Sequence, residues 1–178
     1  MALRTAVISI LAALVIGAVT VVLVVRYGAL DIGSLPIRRS QIDRVLAYAS
    51  RQSIAYHAKR LGPLPTAPPD SLSIGAEHYG EMCVTCHAAP GVDRDEIGKG
   101  LNPEPPRLEK IVANWTDAEL FWTVKNGIRL TGMPGFGGTH TDAEVMSIVA
   151  FVRRLPKMSP QEYERRIAAT TSHHEMHR

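Results

Sequence analysis

Hydrophobic residues form one uninterrupted run near the start of the chain. Thr5 to Val25 contains no charged residue and is about twenty residues long, which is enough for a helix to cross the hydrocarbon core of a membrane. The alternative is a cleaved secretory signal, but Arg26 and Tyr27 follow the run where a small-residue cleavage site would stand. We therefore expect a retained transmembrane anchor over residues 1–26.

Farther along the chain, hydrophobic residues recur at helical spacing between loops rich in proline and glycine. A first helix is predicted near Ser73 to Cys86. Thr116-Asp117-Ala118-Glu119 has the form of a capping box and predicts a second helix that stops before Gly127. Thr141-Asp142-Ala143-Glu144 repeats this form and predicts a third helix that runs to Leu155.

No strand pattern interrupts these helices, so the sequence predicts an all-α domain over residues 71–157. A polar tail is expected over residues 158–178. The tail contains His173, His174 and His177, and a disordered tail is a simpler interpretation of this tract than a metal site.

Residues 27–70 are predicted to contain a basic helix and a proline-rich linker. Ser40 is placed to cap a helix from Gln41 to about Arg60. Its apolar positions at helical spacing are Ile42, Val45, Leu46 and Ala49. The linker is the segment Gly62-Pro63-Leu64-Pro65-Thr66-Ala67-Pro68-Pro69, which is expected to be extended and semi-rigid.

Charge is distributed unevenly between the basic helix and the domain. Residues 26–60 carry seven Lys or Arg and two acidic residues, whereas residues 71–157 carry nine and eleven. The helix either rests on anionic lipid headgroups or an acidic partner subunit, or packs on its own domain with a solvated outer face. The sequence leaves both alternatives open.

The two cysteines of the chain stand in the motif Cys83-Val84-Thr85-Cys86-His87. Cys-x-x-Cys-His is the attachment site of a c-type haem, because each cysteine can form a thioether with a vinyl group while the histidine ligates the iron. A thioredoxin-like pair would need a βαβ context, and a zinc site would need further ligands at metal spacing. The sequence therefore predicts one covalent haem c per chain, held by Cys83, Cys86 and His87.

Met133 is the candidate for the second axial ligand of the iron. It lies in a loop rich in glycine and proline, where Pro134 biases it toward extended backbone and away from a helical surface. An isolated methionine usually fills a gap in a core, but this loop lies downstream of the haem motif between two capped helices. His78 and His140 are the alternative ligands, with surface or propionate contact as their simpler interpretation.

With these motifs the chain resembles the class I c-type cytochromes over roughly Leu72 to Pro156. The resemblance implies a small all-α domain around one covalent haem, here preceded by a single transmembrane helix. It also implies that the first and last helices cross beside the haem, with Gly75 and Tyr79 facing the stripe that contains Val149 and Phe151.

The resemblance also assigns residues around the cofactor. In Pro106-Arg107-Leu108, the Pro106 carbonyl would accept the Nδ1 proton of His87, and Leu108 would pack on the macrocycle. From its position on the helix before the methionine loop, and not from the resemblance, Trp122 is expected to border the haem in preference to Trp115. The anchor, the basic helix and an acidic loop containing Asp93, Asp95 and Glu96 depart from the simplest members of the family.

One-electron transfer is the function that the resemblance implies, with His87 and Met133 saturating the iron. The partners would be redox proteins: a dehydrogenase or quinol-oxidising donor and a terminal oxidase as acceptor, with no small-molecule substrate and no nucleic acid. A haem enzyme or gas sensor with a displaceable sixth ligand is the alternative. A purely structural haem subunit is the third hypothesis.

Two arguments about membrane orientation disagree. Arg26, Arg38, Arg39 and Arg44 follow the anchor and only Arg4 precedes it, which favours a cytoplasmic carboxyl side. Covalent haem attachment in bacteria takes place outside the inner membrane, and large domains translocate with little regard to charge. We therefore expect a single-pass protein of a bacterial inner membrane with its haem domain in the periplasm.

Overall fold

The computed structural model describes residues 2–29, 32–33 and 41–175, with side chains described as far as residue 170. These residues contain helices and turns but no strand, which confirms the all-α prediction. The helices in chain order are α1 (Ala2–Arg26), α2 (Gln41–Ala58), α3 (Ser71–His78), α4 (Val84–His87), α5 (Glu96–Gly100), α6 (Leu108–Ile111), α7 (Asp117–Asn126), α8 (Asp142–Val152) and α9 (Pro160–Glu175).

Helix α1 spans the apolar run and is long and apolar enough to cross a membrane. None of its residues is buried within the protein, so its apolar side chains are exposed and able to contact lipid. The Thr20 hydroxyl donates to the Ile16 carbonyl at 2.8 Å, which satisfies this polar group within the helix.

Both predicted capping boxes are present. Thr116 accepts from the Glu119 amide at 3.2 Å, and the Glu119 carboxylate accepts from the Thr116 amide at 2.8 Å. Thr141 and Glu144 make the same pair of bonds at the start of α8. Helix α8 ends at Val152, earlier than predicted, and a 3-10 turn over Leu155–Lys157 follows it.

The core of the haem-motif domain lies where α3 crosses α8. Gly75 permits the close approach, since a Cβ there would lie 2.1 Å from the Ser147 carbonyl oxygen and 2.8 Å from the Phe151 Cβ. One turn farther on, the rings of Tyr79 and Phe151 pack with centroids 5.4 Å apart. The crossing that the resemblance implied is therefore present, and it fixes the helix that leads into Cys83.

Replacing Gly75 with alanine is expected to destabilise the domain by about 2 kcal/mol, the usual cost of forcing extra volume into a packed core. The clash is with helix backbone, so α3 and α8 must separate, and this outweighs the better helix propensity of alanine. Thermal unfolding followed by circular dichroism measures the loss. Gly100→Ala is the matched control, because a Cβ there meets nothing within 4 Å; equal melting temperatures for the two variants would contradict the prediction.

Helix α2 packs on α7, but not through the apolar positions that its sequence pattern singles out. Ile54 and Ala58 are buried, whereas Ile42, Val45, Leu46 and Ala49 are exposed. The structure thus has one face of α2 packed on its own domain and leaves another face uncovered. The proposed cap Ser40 lies outside the described residues.

Helix α9 occupies the region expected to be a polar tail. Tyr163 is 4% exposed, and its ring lies 6.3 Å from that of Tyr79. Ile167, one turn later, is partly buried against the same core beside Gly80. These two apolar residues give an otherwise polar helix its packing face. The side chains of His173 and His174, and the whole of His177, lie outside the described residues.

Candidate functional site

An apolar cleft lies between the Cys-x-x-Cys-His segment and the loop that carries Met133. The empty space in and around it is about 1150 Å³, a volume that includes the open solvent at its mouth. An apolar cleft with a few convergent polar groups is the usual form of a site for a cofactor or another small organic molecule. Among the residues that line it are Cys83, Cys86, His87, Leu108 and Met133. Five residues that the sequence separates by up to fifty positions are therefore brought to one cavity.

A π-helical turn over Tyr79–Cys83 and the short helix α4 position the two cysteines. The Tyr79 hydroxyl donates to the Ala88 carbonyl at 2.6 Å, which ties the start of the turn to the residue after His87. Burial, and secondarily the neighbouring Cys86, raises the pKa of the Cys83 thiol to about 12. Cys83 is therefore an uncharged sulfur in the wall of the cleft, whereas Cys86 is partly exposed.

His87 is held by one backbone hydrogen bond. Its Nδ1 lies 2.8 Å from the Pro106 carbonyl oxygen. Burial, followed by the nearby Arg94 charge, lowers the pKa of the imidazole, although the hydrogen bond to Pro106 acts in the opposite direction. The ring is therefore neutral at physiological pH and, with Nδ1 as the donor, keeps an unprotonated Nε2.

Two arginines hold in place the segment that supplies the Pro106 carbonyl. Arg94 donates to the Pro105 carbonyl at 2.6 Å and forms an ion pair with Glu104. Arg107 bonds Glu109 at 2.7 Å and Asp93 at 3.1 Å. The acidic loop of the sequence analysis is thus partly neutralised by arginines that hold it against the Pro106 segment. The sequence did not predict these arginine contacts, because no local motif marks them.

Backbone contacts with the end of α7 fix the loop that carries Met133. The Met133 amide donates to the Thr131 hydroxyl at 3.1 Å, and the Met133 carbonyl accepts from Ile128 at 3.1 Å. Gly127 has a φ of +69°, and a Cβ on it would lie 2.7 Å from the Met133 carbonyl oxygen. A glycine at this position therefore allows the loop to fold back so that Met133 lines the cleft.

Trp115, and not Trp122, lines the cleft. The Trp115 carbonyl accepts a hydrogen bond from Arg153, which also donates to the Val112 carbonyl at 2.6 Å. Trp122 instead stacks on His57 of α2, with ring centroids 5.3 Å apart and planes at 9°. Trp122 is thus not among the residues that line the cleft, and helix α2 covers its side of α7.

The two alternative histidines lie against each other. The rings of His78 and His140 have centroids 4.8 Å apart, and His140 also packs against Phe136. Neither histidine lines the cleft. Within the described part of the chain, no group of three or more His, Cys, Asp or Glu residues is arranged to hold a metal ion.

Residues 70–152 match the family model described as cytochrome C oxidase, cbb3-type, subunit III. The chain matches no curated protein. The matched segment runs from the start of α3 to the end of α8, so it contains the residues that line the cleft and excludes α1, α2 and α9.

Proposed function

We propose that the chain is a one-electron carrier in which His87 and Met133 ligate the iron, on the premise that residues 70–152 form a c-type cytochrome domain with covalently bound haem c. The observation that supports this assignment best is the cleft itself. It has two cysteines and a neutral histidine in one wall and a thioether in a loop that also lines it.

The residues of the cleft fit a covalently attached haem. Cys83 and Cys86 would form the two thioethers, and the uncharged state of the buried Cys83 sulfur suits a thioether, which carries no charge. The apolar lining, including Leu108, Ile148 and Val149, suits the faces of a macrocycle. The 2.8 Å contact between His87 Nδ1 and the Pro106 carbonyl oxygen, and the presence of Leu108 in the lining of the cleft, support the roles proposed for these two residues.

Haem c supplies an iron that gains or loses one electron between its ferrous and ferric states. The protein holds the two proposed ligand residues, His87 and Met133, in fixed positions for that exchange. Pro106 fixes the His87 ring through Nδ1, and the α7 backbone fixes the loop of Met133. The apolar walls exclude water, and a thioether ligand favours the reduced state, so both features favour a high midpoint potential.

A respiratory oxidase complex is the acceptor that we propose, with a dehydrogenase or a quinol-oxidising complex as the donor. The matched family is described as a subunit of a cytochrome c oxidase, which supports this class of partner. Helix α1 would hold the domain at a bacterial inner membrane, with the haem in the periplasm. Anchoring raises the effective concentration of a carrier at partners in the same membrane.

Optical spectra of the purified full chain, in ferric and ferrous forms, test this proposal. A closed site with two protein ligands predicts a low-spin ferrous spectrum that carbon monoxide leaves unchanged, and the red absorption band of sulfur-ligated haem in the ferric state. Rapid binding of carbon monoxide, or a high-spin ferric spectrum, would mean an accessible iron. The haem enzyme or gas sensor would then replace the carrier as the better assignment.

A further inference from the structure

Helix α2 exposes an apolar stripe on the face turned away from the haem domain. We define the α2 stripe as Ile42, Val45, Leu46 and Ala49, which follow one another at helical spacing. Ile42 is 69% exposed and Val45 is 66% exposed. A row of large aliphatic side chains in water is unfavourable, so such a surface indicates contact with an apolar partner or with lipid.

The contacts of α2 with the haem domain determine which way this stripe faces. Arg51 forms an ion pair with Glu119 at 3.1 Å and lies over the Trp115 ring, 3.9 Å from its centroid. His57 stacks on Trp122, and Ile54 is buried. Val45 and Ala49 lie on the opposite side of the helix from Ile54, with Ile42 and Leu46 to one side of them, so these contacts direct most of the stripe outward.

The length of the chain keeps α2 close to the membrane that holds α1. Fourteen residues, 27–40, separate Arg26 at the end of α1 from Gln41 at the start of α2. Even a fully extended segment of that length reaches only about 50 Å. A lipid surface is therefore within reach of the α2 stripe at all times, whereas any protein partner has to be recruited to it.

The residues beside the stripe suit the interface between lipid and water. Tyr48 and Tyr56 are exposed on α2, and aromatic side chains with a polar tip are enriched at that depth of a membrane. Arg44 is exposed on α2, and the guanidinium of Arg60, just beyond its end, lies 3.4 Å from the centroid of the Tyr56 ring. A helix with an apolar stripe and flanking cations has the composition of an interfacial helix that favours anionic lipid.

We propose that α2 lies in the lipid–water interface, with the α2 stripe among the acyl chains and its opposite face holding the haem domain. The same side of the haem domain would then always face the membrane. The domain would not rotate freely at the end of residues 27–40, which connect it to α1. This inference rests on the proposed retention of α1 as an anchor, which alkaline carbonate extraction tests by itself.

Nitroxide labels on α2 test the proposal in the full-length holoprotein, reconstituted at one chain per lipid nanodisc. One variant carries the label at Val45→Cys in the stripe, and the matched control carries it at Ala47→Cys, which is exposed on the other side of the helix. The label at position 45 is expected to be several-fold less accessible to a water-soluble paramagnetic relaxant than the label at position 47, and more accessible to oxygen. Nanodiscs with anionic lipid are expected to show a larger difference than nanodiscs of zwitterionic lipid.

Equal accessibility of the two labels to the water-soluble relaxant would overturn the proposal. Samples with several chains per nanodisc test whether a second copy of the chain covers the α2 stripe. Dipolar broadening between labels at position 45 would assign the stripe to that second copy.

In the triple variant Ile42→Ser, Val45→Ser and Leu46→Ser, amide hydrogen exchange of α2 is expected to become faster in nanodiscs, while the haem spectrum stays unchanged. The control Ile97→Ser, at an exposed residue of α5, is expected to leave the exchange of α2 as it was.

Discussion

A chain in which Cys83 and Cys86 are both replaced by serine is expected to carry no covalent haem and to lose its folded haem domain. Leu120, Ile148, Val149 and Val152 are buried core residues that also line the cleft. A domain of this size has a small core, so a large cofactor contributes much of the apolar contact that stabilises it. Without that contact the cleft would leave a large unfilled space between α7 and α8, and such cavities are strongly destabilising.

Haem staining after denaturing electrophoresis and far-ultraviolet circular dichroism measure the two losses. The single variant Cys86→Ser is the matched control, since one thioether from Cys83 would still tether the haem. It is expected to keep part of the stain and most of the helical signal. Full haem staining of the double variant would show that attachment uses other groups, and the assignment of these cysteines would then be wrong.

Replacing Met133 with alanine is expected to abolish the red absorption band of the ferric protein and to let carbon monoxide bind the ferrous form. Alanine removes the thioether and leaves the loop backbone in place, because the bonds that fix this loop come from main-chain atoms and Thr131. The midpoint potential is expected to fall by on the order of 0.2 V, within the range of about 0.8 V over which axial ligands tune haem.

Met82→Ala is the matched control for this experiment. Met82 also lines the cleft, but it lies beside Cys83, on the side of the cysteine motif. Its loss is expected to keep the band and to change the potential little. If the band survives in the Met133 variant and disappears in the Met82 variant, the axial ligand is Met82, and the assignment of Met133 is wrong.

Features coded by neighbouring residues were predictable from the sequence. The two capping boxes depend on residues three positions apart, and both are formed. The place of Pro106 beside His87 followed from a family resemblance, not from local propensity, and the 2.8 Å contact is present. Short-range rules and one resemblance thus located α1, α2, α7 and α8 and several of the residues that line the cleft.

Features that depend on distant packing were not predictable. The sequence singled out Ile42 and Val45 as the apolar face of α2, but Ile54 is the buried residue, and polar residues such as Arg51 make the contact with α7. Nothing in the sequence around Trp122 indicates that its ring stacks on His57 of α2. A single sequence contains no local signal for such pairings.

The crossing of α3 with α8 has a consequence for how the chain matures. A chain is synthesised from its amino end, so the Cys83–His87 segment is made well before α8 and α9, whose Phe151 and Tyr163 complete the packing around Tyr79. Until those helices pack, Cys83 lacks the neighbours that bury it in the finished fold. Its thiol is therefore most accessible for haem attachment before the two carboxy-terminal helices have packed, and those helices would complete the fold around the attached haem.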